Sequence, residues 1–181
     1  QQIYAALYEE ILPYIQDNVL PDSPETSLLL EETSSRLRLE PLQGSRTSDI
    51  ADKVNGKTFF VRTGTPGSVS GFENFTIRFE RTLDGQDVGT LSFLHRQRPC
   101  SLRFGLGNMQ TGTFPLYNLH YAASGTWLPD GTFYIMAHII DSYVGSVHFQ
   151  LAFGKDDLTV FLRKKEESLF QEFNGHLYCT P

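Results

Sequence analysis

The sequence predicts a mainly β protein: an antiparallel, up-and-down β-barrel of about eight strands, preceded by a helical extension and followed by one short helix. Three observations predict it. The hydrophobic period changes from about 3.6 to 2 after Gly56, short turn-forming links separate the alternating segments, and no later helical stretch is long enough to cross between parallel strands. With 181 residues, 40% of them apolar, the chain has the size and composition of one globular domain.

Residues 1–56 read as the extension. From Gln2 to Leu12, Ile3, Leu7 and Ile11 share one helical face with Tyr4 and Tyr8 beside it, and Pro13 ends the run because it has no N–H to donate. Ser23, Pro24 and Glu25 then form a start signal: a hydroxyl to accept an N–H, a ring with helical φ, and an acid in the first turn. That helix is expected to run to about Leu37. Leu39-Glu40-Pro41-Leu42 reads as an extended stretch crossing a surface. Ser48 caps a third helix over Asp49 to Val54, which Asn55-Gly56 terminates.

Residues 57–181 read as the barrel. Strands are expected at Lys57 to Thr63, Phe72 to Glu80, Gly89 to Arg96, Ser101 to Gly105, His120 to Leu128, Thr132 to Asp141, Ser146 to Phe153 and Leu158 to Lys164. In the second, Phe75, Ile77 and Phe79 alternate with Thr76, Arg78 and Glu80, the mark of a strand with one dry face. Leu83-Asp84-Gly85, Pro129-Asp130-Gly131, Ser142 to Gly145 and Gly154 to Asp157 supply turn residues. Glu166 to Phe173 fits one or two helical turns, placed either as a plug in a barrel end or on the outside.

Charge and cysteine content narrow the function classes. The net charge of −6 resides entirely in residues 1–56, while the remainder balances eleven bases against eleven acids. Neither part supplies the positive field that displaces counterions from phosphates, so nucleic acid is not an expected partner. No apolar run approaches the roughly 20 residues of a membrane-spanning helix. The opening Gln1-Gln2, without Met, suggests a piece of a longer protein. Cys100 and Cys179 fit no zinc or C-x-x-C spacing and read as two buried thiols.

No serine has a lysine three residues on, Gly67-Ser68-Val69-Ser70-Gly71 has Val where a nucleophile elbow needs Ser, and no phosphate loop is present. Catalytic residues, cofactors and metals are therefore not assigned. Candidate ligand-binding residues are His120, Trp127, His138 and His148. His138 and His148 flank a hairpin centred near Tyr143, which would set them opposite each other with Cβ atoms about 5 Å apart. Two such ligands fall short of a metal set unless His120 or His95 joins them, and H-x-x-x-H and H-x-H spacings are missing, so hydrogen-bonded structural histidines are expected. Trp127 and Tyr134 read as barrel core or, in the other reading, as the aromatic lining of a ligand cavity. Asp130 and Asp141 read as turn residues.

Several stretches carry a resemblance: Lys53 to Phe59, Phe72 to Phe79, Phe104 to Pro115, Ala123 to Phe133, Ala137 to Gly145 and Leu169 to Gly175. In order and spacing the chain resembles the C-terminal β-domain of bacterial serine hydrolases related to class C beta-lactamases and penicillin-binding proteins, of the Clostridium-like type. The resemblance implies a lipocalin-like barrel, non-catalytic in itself, that follows an N-terminal catalytic domain bearing S-x-x-K and Y-x-N. Neither motif occurs here. The implied role is an accessory one, shaping access to the neighbouring active site or mediating contacts with that domain or with a second copy of the chain. A small-ligand-binding module is the alternative. The implied setting is cytoplasmic, or the cell surface or exterior together with the parent enzyme.

Overall fold

Side chains that alternate dry and wet from residue 58 onward pair into a sheet whose dry face closes on itself. The computed structural model describes residues 2–18, 23–166 and 168–181, and the chain divides into two units, Gln1–Arg38 and Leu39–Pro181.

In the first unit, α1 (Gln2–Ala6) widens into a π turn over Leu7–Ile11 and tightens into a 3-10 turn at Leu12–Tyr14. The Leu12 N–H donates to the Leu7 carbonyl, five residues back, just before Pro13 withdraws a donor. Tyr4, Leu7, Tyr8 and Ile11 are exposed; the side chain of Ile3 lies outside the described residues. α2 (Pro24–Ser35) starts as its sequence requires, with the Ser23 hydroxyl accepting from the Thr26 N–H at 3.4 Å. It ends two residues before the expected Leu37, the N–H groups of Arg36 and Leu37 closing a tighter turn on Thr33 and Ser34.

The second unit begins at Leu39, so residues 39–56 go with the barrel and not with the helical extension to which the period alone joined them. The reason is hydrogen bonding. The Leu42 N–H donates to Ser124 Oγ, Thr126 Oγ1 donates to the Ser45 carbonyl, and Ser45 exchanges both backbone hydrogen bonds with Trp127. This strap leads to α3 (Ala51–Val54), shorter than expected, with Gly56 at φ +76° turning the chain into the first strand.

Ten strands follow, not eight: β1 (Thr58–Gly64), β2 (Phe72–Arg81), β3 (Asp87–His95), β4 (Arg98–Leu106), β5 (Gln110–Phe114), β6 (Leu119–Trp127), β7 (Phe133–Ile140), β8 (Val144–Phe153), β9 (Leu158–Lys164) and β10 (Gly175–Thr180). The sheet order is β4-β3-β2-β1-β10-β9-β8-β7-β6-β5, and it closes where β6 also pairs with β4, giving a nine-strand barrel with β5 outside it. Neighbours are antiparallel except at that closure, where Gly105 and Leu106 run parallel to Ser124 and Gly125.

One phenol extends the closure beyond these two backbone pairs. Arg103 of β4 has β3 on one side only, and β5 pairs with β6 instead of continuing the ladder. Tyr121 crosses the gap: its hydroxyl accepts from the Arg103 N–H at 2.9 Å and donates to the Arg103 carbonyl at 3.0 Å. Its ring passes over its register partner Gly112, where a Cβ would come within 2.9 Å of the phenol oxygen. A side chain thereby does the hydrogen bonding of a missing strand.

Aromatic rings from strands that are not neighbours meet across the barrel axis. Phe93 of β3 lies 6.3 Å from Phe149 of β8, and Phe79 of β2 lies 5.1 Å from Phe133 of β7 and 5.7 Å from Trp127 of β6. The segment after β9 is a plug: Phe170 and Phe173 are fully buried, and Phe173, at the end of a 3-10 turn (Gln171–Phe173), packs on Phe72, Phe93, Phe114 and Phe149. Phe104 fits beside Gly89, where a Cβ would approach its ring to 2.3 Å. Cys100 and Cys179 are buried free thiols, the latter pushed up to about 11 by burial.

Phe173→Ala should lower the free energy of unfolding by about 3–5 kcal/mol in urea titrations, because the plug leaves a void that the other rings cannot fill. Tyr121→Phe removes no packing but orphans the Arg103 N–H and C=O. It should cost about 1–3 kcal/mol and speed hydrogen exchange at the Arg103 amide.

Candidate functional site: an outer groove with a tyrosine-histidine-serine chain

Strand β8 alternates Val147, Phe149 and Leu151 toward the core with Ser146, His148 and Gln150 outward. Register sets His138 opposite Ser146, Met136 opposite His148 and Tyr134 opposite Gln150, while β9 brings Arg163 beside His148 and Phe161 beside Gln150. The resulting groove on the outer face has a volume of about 430 Å³ and is bounded by Tyr134, His148, Gln150, Phe161, Leu162, Arg163, Lys165, Asn174 and Gly175. That volume falls in the range of small-molecule pockets.

Ser146 and His148 point away from the core yet are nearly as buried as it, 7% and 6% exposed. Their polar atoms are satisfied within the protein. Ser146 Oγ lies 2.7 Å from His148 Nε2, and the Tyr134 hydroxyl bonds to His148 Nδ1. Burial, then the positive charges of Lys165, His138 and Arg163, pushes the His148 imidazole down to about 4. Burial raises the Tyr134 phenol, and burial with Lys165 lowers His138. Near pH 7 the chain is therefore a phenol, a neutral imidazole and a hydroxyl, set in a positive field.

This geometry has the outline of a nucleophile, a base and an orienting group, but its electrostatics oppose that chemistry. A general base works best with a pKa near the working pH. An imidazole held near 4 is a weak acceptor for a serine proton, and its second nitrogen bonds to a phenol where a carboxylate would support a positive imidazolium. What the arrangement does well is hold the Tyr134 hydroxyl in a fixed position beside two cations.

The four sequence candidates separate. His138 and His148 share the outer face but not a register position, because the hairpin centres on Ser142 and not on Tyr143; they are diagonal, two residues apart in register. His120 stays away from the groove at the start of β6, its backbone N–H donating to Asp141 Oδ2 at 2.9 Å. Trp127 is core, 2% exposed, with its ring 4.9 Å from Phe133. Among the described residues no three His, Cys, Asp or Glu side chains gather as a metal set. Asp130 and Asp141 each accept backbone N–H groups in turns. The sequence reading passed over Ser146, Gln150, Phe161, Arg163 and Lys165. The polar row Ser146-His148-Gln150 was visible in the alternation, whereas the β9 contribution depends on register. No family model and no curated protein matches this sequence.

Because the unfolded chain carries an ordinary imidazole near 6.5, it takes up a proton before the folded chain does. His148 should therefore leave stability unchanged above pH 6.5 and lower it as pH falls from about 6.5 to about 4. Chemical denaturation across that window should show His148→Gln losing on the order of 2 kcal/mol less than the parent.

Proposed function

We infer that this barrel is a non-catalytic accessory domain of a serine hydrolase related to class C beta-lactamases, working beside an N-terminal catalytic domain of the same polypeptide. The observation that carries this reading is the filled axis: rings from opposite strands meet where a carrier would need space. A solid barrel suits a body that shapes a neighbouring active site or holds domains together. The weakness of His148 as a base agrees with a chain that leaves the chemistry to its partner. No helix among the described residues is long and apolar enough to cross a membrane. The cytoplasm is the setting that goes with this proposal.

The small-ligand reading has a place on the outside of the barrel, where the groove has a volume of about 430 Å³.

Hydrolysis of a chromogenic ester separates the outcomes. The 181-residue chain should release no more chromophore than buffer does, and the reading frame preceding Gln1 should encode S-x-x-K and confer activity when expressed with it. Turnover by the isolated chain that disappears in Ser146→Ala, or an upstream frame without that motif, would overturn the accessory role.

A further inference from the structure

We propose that the outer groove binds a small organic anion, its carboxylate or phosphate head held by Arg163, Lys165 and the Tyr134 hydroxyl and its apolar body lying on Phe161. The groove has two cationic side chains and no acidic one in its lining, within a chain whose net charge is −6. Neither cation has an ion pair among the described residues. Glu166, next in sequence to Lys165, turns its carboxylate to the N–H groups of Ser168 and Leu169. With Arg163 and Lys165 in the lining and no carboxylate among the described residues that bound the groove, an oxyanion seated there meets positive charge on both sides.

The hydrogen-bond chain decides how the head is met. A ligand oxyanion can only accept. With it in place, Tyr134 donates outward, so its oxygen must accept the His148 Nδ1–H, and Nε2 in turn accepts from Ser146. Binding thus selects one imidazole tautomer, with all three donors directed toward the ligand. Phe161, 44% exposed on the groove wall, offers an apolar surface that a bare inorganic ion would leave unused.

The test titrates the full chain with benzoate, phenyl phosphate, benzamide and inorganic phosphate, followed by calorimetry and by amide and His148 ring-nitrogen NMR. Benzoate or phenyl phosphate should bind with shifts centred on β8 and β9 and a His148 signature moving to the Nδ1–H form; whichever is tighter identifies the head group. Arg163→Gln and Lys165→Gln, both at exposed positions, should each weaken binding about tenfold, and Tyr134→Phe should weaken it with the tautomer shift lost. Benzamide binding as tightly as benzoate, inorganic phosphate matching phenyl phosphate, or indifference to both charge variants would overturn the proposal. The readout is binding and no chromogenic ester is used, so this result is independent of the hydrolysis experiment.

Discussion

The contact that the rest of this structure depends on is aromatic ring against aromatic ring across the barrel axis. A nine-strand ring of this kind encloses more space than aliphatic side chains from adjacent strands would bridge, and here phenylalanines from opposite walls reach each other directly. Offset and edge-on pairs add some stability beyond area burial, and they fix which strand faces which. The plug after β9 belongs to this set: Phe173 touches rings from β2, β3, β5 and β8, so the last turn of the chain is part of the core.

Filling the inside moves the chemistry to the outside. Alternation along β8 commits its odd residues to the packed axis, leaving Ser146, His148 and Gln150 on a face where water and solutes can reach the groove. The same field that makes His148 a poor proton acceptor makes the neighbourhood attractive to negative charge. One electrostatic cause thus argues against catalysis and for recognition, and the two conclusions stand or fall on different measurements.

Much of this was legible in the sequence. The switch of period at Gly56 located the barrel, and all eight expected strands exist within a few residues of where they were read. Two were missed. β5 is five residues long with glycine at its centre, and that glycine makes sense only when Tyr121 is seen lying over it. β10 does alternate, with Leu177 and Cys179 inward, but it follows a turn whose apolar residues look helical in isolation. Residues 39–42 of the strap read as extended, yet the attachment of the strap to β6 rests on hydrogen bonds more than 80 residues apart in sequence. The groove was half legible: His148 and His138 stood out by residue type, while their spacing hung on a one-residue shift in the hairpin centre, and Arg163 and Phe161 entered only through pairing with β8.

The two cysteines have a use that their inertness provides. Cys100 sits opposite Phe93 on β4, the strand through which the ring closes, and Cys179 on β10, among strands held on both sides. Both are buried, Cys179 completely and Cys100 to 6% exposure, and burial pushes both thiols up, toward the unreactive form. A thiol reagent can therefore modify either one only after the wall around it has parted. The protein carries two built-in timers of its own opening, one on a strand of the seam and one on a strand away from it, and the order in which they are modified tells where the ring first breaks.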